Sequence, residues 1–108
     1  MKFIKKNRKF LANKKTNVIL NDVGKVILKR EELLNIQTLN KKNEICAKKW
    51  GFYLTPSINH RLKKQNFLAV LTINKFKKKY LMLVSKDKLK IFKDYCKVES
   101  LKIIDWIK

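Results

Sequence analysis

Phe67-Leu68-Ala69-Val70-Leu71-Thr72-Ile73-Asn74 and, after the basic run Lys75–Lys79, Tyr80-Leu81-Met82-Leu83-Val84 are the stretches whose reading decides the fold. Both have strand length, are nearly continuous in apolar residues and flank a short polar turn. They read as a central strand and its antiparallel partner, buried on two faces or in the middle of a sheet. Downstream, Ser85 reads as the cap of a helix with Asp87 in its first turn. Leu89, Phe92, Tyr95 and Cys96 fall at helical spacing and form its buried stripe. Leu101–Ile107 closes the chain as a last strand, with Trp106 packed on the core.

Upstream, Thr55-Pro56 reads as a helix start: Thr as N-cap, and Pro where a missing N–H costs nothing. Ile58 and Leu62 supply the inward face, and the helix stops near Gln65-Asn66. Asn17–Asn21 and Lys25–Lys29 share a short β-branched core and read as a hairpin around Asp22-Val23-Gly24, with Gly24 free to take positive φ. Glu31–Thr38 fits either a third strand or a short helix, and the strand is favoured because Leu34, Ile36 and Thr38 alternate with Asn35 and Gln37; Lys41–Asn43 reads as a polar loop. The order β-β-(β)-α-β-β-α-β predicts an α+β fold. Its core is a small antiparallel or mixed sheet of about five to six strands, with two helices packed on one face. Residues 1–16 read as a basic N-terminal arm, or as a first helix or strand, and residues 17–108 as a single α+β domain.

Charge is the outlying property of these 108 residues, with 28 Lys and Arg against 8 Asp and Glu and a formal charge of +20. Lys, Asn and Ile are abundant and Arg occurs only at Arg8, Arg30 and Arg61, as an AT-rich genome would produce. Such codons encode Asp and Glu just as freely, so bias explains Lys in place of Arg but not the whole excess of positive charge. Lys2, Lys5, Lys6, Arg8, Lys9, Lys14 and Lys15 form the one basic stretch with no acid in it. They are candidate polyanion-binding residues, contacting phosphates of RNA or another polyanion.

Cys46 and Cys96 are the only cysteines and have no second cysteine near them in sequence, so they read as buried thiols in a reducing cytoplasm. No apolar run approaches the ~20 residues that span a bilayer. The start of the chain is charged with no apolar core after it, unlike a secretory signal.

Little points to catalysis. His60 is the only histidine and reads as a solvent-facing helix residue; a role as acid or base is the alternative. Glu31 and Glu32 are adjacent and point to opposite faces of a strand. Gly24 and Gly51 stand apart, so no glycine-rich phosphate loop exists. The sequence assigns no catalytic residue, no metal ligand and no cofactor.

One local constellation stands out. Thr55, Ser57 and Asn59 surround the expected helix start, Arg61 lies one turn on, and Trp50 and Tyr53 precede it. Backbone N–H groups there, with Arg61, could hold a phosphate or carboxylate. The alternative is an ordinary capped helix start with aromatics in the core.

The segments Trp50–Leu62 (WGFYLTPSINHRL), YLMLV, FKDYC and IIDWI together resemble a small bacterial family with no established activity. The resemblance spans roughly residues 44–107. It implies one domain there and an association with cell-surface carbohydrate synthesis, and it assigns no functional residue. Two functional readings follow. One is a non-enzymatic polyanion binder, of RNA above all, with exposed aromatics able to stack on bases. The other is an accessory or interaction protein holding an acidic ligand or protein partner at residues 55–61.

Overall fold

The computed structural model describes Met1–Lys108 as eight strands and two α-helices. The chain divides into two compact units, Met1–Thr55 and Pro56–Lys108.

In the first unit, strands β1 (Lys2–Asn13) and β2 (Val18–Ile27) pair antiparallel as a long two-stranded ribbon. The turn between them is Lys14–Asn17. Asn13 Oδ1 accepts the Lys15 N–H at 3.0 Å, and Asn17 sits at φ 55°, a conformation its short polar side chain tolerates. The expected turn at Asp22–Gly24 therefore lies inside one continuous strand, and residues 1–16 run as β1 and into this turn. Gly24 does not use positive φ. It is needed because the Phe3 ring lies across it: a Cβ there would meet two ring carbons at 2.7 Å and the Ile4 carbonyl at 3.0 Å. Next to it the register jumps from Lys5↔Gly24 to Arg8↔Asp22, so β1 holds one extra residue, a bulge that increases the ribbon's twist.

Strands β3 (Leu33–Thr38), β4 (Lys41–Lys48) and β5 (Gly51–Leu54) form a second antiparallel sheet in the order β3-β4-β5. The strand expected at Glu31–Thr38 is present from Leu33. The expected loop Lys41–Asn43 is instead the start of β4, because Thr38 pairs with Lys41 across the two-residue turn Leu39-Asn40. Leu39 takes φ 51° there and is 91% exposed. A second two-residue turn, Lys49-Trp50, joins β4 to β5 and is followed by Gly51 at φ 142°, a backbone state reserved for glycine. The buried centre of this unit is Cys46 and Ala47 on β4.

In the second unit, helix α1 (Arg61–Lys64) precedes strands β6 (Phe67–Ile73) and β7 (Lys79–Ser85), helix α2 (Leu89–Val98) and strand β8 (Lys102–Ile107). The sheet order is β7-β6-β8, all antiparallel. β6 is buried on both faces, with Val70 and Thr72 at 0% exposure and Ala69 at 4%. β7 is not: Tyr80 and Leu81 are exposed, because β7 is an edge with one neighbour. Asn74 folds the β6–β7 turn by accepting the Phe76 and Lys78 N–H groups on its side-chain oxygen, each at 2.9 Å. Ser85 precedes a short 3-10 turn (Lys86–Lys88) and its hydroxyl donates to Asp87. In α2, Leu89 and Phe92 are half-buried and Cys96 is buried, while Tyr95 is largely exposed. The Phe92 ring meets Trp106 of β8 edge-on at 6.3 Å. The helix ends with Ser100 at φ 56° and two closing hydrogen bonds, Ser100 N–H to Lys97 O and Leu101 N–H to Cys96 O.

The expected α+β layering is thereby overturned. Strands take 56% of the chain and helices 16%, in three small sheets with only two short helices. Two local facts cause the difference. The segment 41–48 joins a sheet, and the first expected helix shrinks to one turn. Thr55, expected as its cap, extends the β4–β5 ladder instead: its N–H donates to the Glu44 carbonyl at 3.0 Å and its hydroxyl to the Glu44 carboxylate at 2.7 Å.

Two substitutions test this account. Gly24→Ala drives the Phe3 ring off the ribbon and costs ~1 kcal/mol, a cost that shrinks in a Phe3→Ala background, where only the Ile4 carbonyl is still crowded. A double-mutant cycle on chemical denaturation measures it, and equal costs in both backgrounds would refute the Phe3 contact. Leu39→Gly removes left-handed strain from an exposed turn residue and raises stability by ~1 kcal/mol, read as a higher denaturation midpoint.

Candidate functional site

The ribbon's two faces follow from its register. Phe3, Lys5, Arg8 and Phe10 share one face with Val26, Gly24, Asp22 and Leu20; Lys2, Ile4, Lys9 and Leu11 share the other with Ile27, Lys25, Asn21 and Ile19. Both faces mix basic and apolar residues, and most of these side chains are exposed. Asp22 is the one acid on the ribbon. Lys6 Nζ approaches it at 3.7 Å and Arg8 at 3.3 Å, and the Arg8 guanidinium also lies 4.8 Å from the Phe10 ring centre. Of the seven residues predicted to bind polyanions, Lys6 and Arg8 are therefore drawn to an internal carboxylate. Lys2, Lys5, Lys9, Lys14 and Lys15 pair with no carboxylate. Lys25 on β2 joins them, missed in the sequence because β2 was divided at Gly24.

Every other carboxylate of the first unit is also engaged inside it. Glu31 takes Lys48 Nζ at 2.6 Å. Glu32 accepts the Lys29 N–H at 2.7 Å and meets the Met1 amino group at 2.9 Å. Glu44 accepts from Thr55. On the ribbon, Lys2, Lys5, Lys9, Lys14, Lys15 and Lys25 are exposed and meet none of these carboxylates in an ion pair.

The β4–β5 turn presents aromatic rings. Trp50 is 71% exposed and Phe52 72% exposed, so the expectation of core aromatics fails here. The strand is four residues long and lies at the sheet edge. The Trp50 ring stacks on Tyr53 with centroids 6.0 Å apart and planes at 23°. Lys48 Nζ lies 5.9 Å from the Tyr53 ring centre, held by Glu31, whose carboxylate raises the Lys48 ammonium pKa above its ordinary value.

The constellation predicted around residue 55 is spread over both units. Trp50, Tyr53 and Thr55 belong to the first; Ser57, Asn59 and Arg61 belong to the second. Thr55 spends its hydroxyl on Glu44. Ser57, three residues before the N-cap His60, accepts the Arg61 N–H on its hydroxyl at 3.1 Å and the Leu62 N–H on its carbonyl. Asn59 is exposed and Arg61 opens α1, a helix too short to build an N-terminal anion site. His60 is exposed at the N-cap of that turn.

Elsewhere, the structure groups no three His, Cys, Asp or Glu side chains as metal ligands. Cys46 and Cys96 are buried and unpaired. An apolar groove of about 430 Å³ runs between β7 and α2, lined by Met82, Val84, Ile91, Phe92 and Tyr95. Partial desolvation of the half-exposed Tyr95 phenol and burial of the Cys96 thiol push up both pKa values, so both stay protonated near neutrality. No helix is long and apolar enough to cross a membrane.

Comparison with known proteins returned no match to a family model, to a curated protein or to a solved structure.

The Glu32 tie gives a pH test. The Lys29 N–H, and then the Met1 amino group, hold the Glu32 carboxyl below its ordinary value of 4.5. A carboxylate with a depressed folded pKa stabilises above its unfolded pKa, and that stabilisation disappears as pH falls through the folded value. Exchange of the Lys29 amide therefore accelerates as pH drops below 4.5, beyond the intrinsic pH dependence, and Glu32→Gln removes the effect. A Glu32 carboxyl titrating at its ordinary value would contradict it.

Proposed function

We propose that the chain is a non-enzymatic binder of a polyanion, with RNA as its ligand, and that the β1–β2 ribbon is the surface it uses. The observation that carries this reading is the pairing of charges in the first unit. Its four carboxylates are all occupied internally, while Lys2, Lys5, Lys9, Lys14, Lys15 and Lys25 stand open on an exposed ribbon. Phosphates reward that arrangement, because each lysine that neutralises one releases a condensed counterion. A two-stranded ribbon also exposes side chains on both faces, so its lysines can follow a phosphate backbone. The residues around 55–61 support an acidic ligand less well, since Thr55 is already bonded to Glu44 and α1 has one turn.

The test is salt dependence. Affinity for RNA falls steeply with ionic strength, and Lys9→Gln or Lys15→Gln lowers the slope of log K against log salt by ~1 each. Arg61→Ala leaves both affinity and slope in place. Affinity unchanged between about 50 and about 200 mM salt, or a loss confined to Arg61→Ala, would refute the ribbon.

A further inference from the structure

We infer that the Lys49-Trp50 turn is a stacking platform for an unpaired base, so that the nucleic acid is engaged at single-stranded or loop nucleotides. This rests on the polyanion reading above and adds to it the chemistry of the ligand's bases.

The argument starts from the cost of the observed arrangement. An indole is mostly apolar and is normally buried, yet Trp50 is 71% exposed at a turn that has room for many polar residues. The ring is also not loose. Tyr53 backs it in a stacked geometry at 6.0 Å and 23°. Tyr53 is in turn covered by Lys48, and Lys48 is fixed by Glu31 at 2.6 Å. The series Glu31, Lys48, Tyr53, Trp50 holds an aromatic plane in place with a large part of its surface facing solvent. Gly51 adds no bulk beside the ring: apart from its chain neighbours, no atom lies within 4 Å of the position its side chain would take. Lys49, exposed in the same turn, supplies a cation for the phosphate next to a stacked base.

This combination selects among polyanions. A polyphosphate or a sulfated sugar offers charge but no flat π-face. A base within a duplex has both faces covered by its neighbours. An unpaired base offers a free face and a phosphate on either side, which the indole and Lys49 match. Stacking of this kind tolerates any base, so the site reads strandedness and not sequence.

The experiment uses the full chain and two probes, a fluorescently labelled oligouridylate and inorganic polyphosphate. Trp50→Ala is expected to weaken oligouridylate about tenfold, within the range for loss of one stacked base, and to leave polyphosphate affinity unchanged; Trp50→Phe retains part of the affinity. In a Trp106→Phe background, which leaves Trp50 as the one tryptophan, oligouridylate quenches the emission and polyphosphate does not. The affinity measurement needs no change at Trp106, so it stands if that variant misfolds. Unchanged oligouridylate affinity in Trp50→Ala, equal losses for both probes, or the same Trp50-dependent loss on a blunt RNA duplex would each overturn the platform while leaving polyanion binding in place. Absence of binding to either probe by the unmodified chain would overturn the polyanion reading itself, and the platform with it.

Discussion

The antiparallel hydrogen-bond ladder is the interaction on which the rest of this structure depends. Side-chain burial alone is modest: Val70 and Thr72 are the largest side chains that are fully enclosed. Backbone N–H and C=O groups must still be paired wherever water is excluded, and here strands do most of that pairing. Only β4 and β6 have a neighbour on each side, and they carry much of the buried centre of their units, Cys46 and Ala47 in one and Ala69, Val70 and Thr72 in the other. The other six strands are edges. That explains the many half-exposed apolar residues: an edge strand in a two- or three-stranded sheet can shield little of either face.

Edges bear on the meaning of the positive charge. Lysine on an edge strand discourages pairing with other chains, so an edge-rich protein has a structural use for it. Its distribution argues that this is not the whole account. β1 carries Lys2, Lys5, Lys6, Arg8 and Lys9, whereas the edge strand β3, Leu33–Thr38, carries no charge at all and exposes Leu33 and Ile36. Protection of edges would spread charge over both. The ribbon sets eight basic residues against the single acid Asp22, and the other carboxylates of that unit are paired internally, which is why we propose a polyanion.

Apart from its first helix, which shrinks to one turn, and the exposure of β7, the second unit was legible in the sequence, and the first largely was not. β6, the basic turn, β7, α2 and β8 all follow from apolar runs of strand length and one helical stripe, signals that need only local information. The errors in the first unit come from residues whose partners are remote in sequence. Asp22-Val23-Gly24 has turn composition, yet Gly24 is there to make room for Phe3, some twenty residues earlier. Thr55-Pro56 has the composition of a helix start, yet the Thr55 hydroxyl finds Glu44 across a ladder. Lys41-Lys42-Asn43 is polar enough for a loop, and pairing with β3 makes it a strand. Of the site residues, the lysines of β1 were visible as a run, but which of them Asp22 neutralises was not. The exposure of Trp50 and Phe52 could not be read at all, because an aromatic residue before a proline looks the same whether or not anything covers it.

The two cysteines lie in different units, Cys46 in the first and Cys96 in the second, and both are buried without a disulfide. A thiol reagent reaches each only when the surrounding structure opens, and burial further suppresses the thiolate at Cys96. The protein therefore contains one intrinsic labelling clock per unit. The rate at Cys46 reports the lifetime of the β3-β4-β5 sheet, and the rate at Cys96 reports how often α2 lifts. A ligand held by the first unit would slow the first clock, and the second would serve as its internal reference.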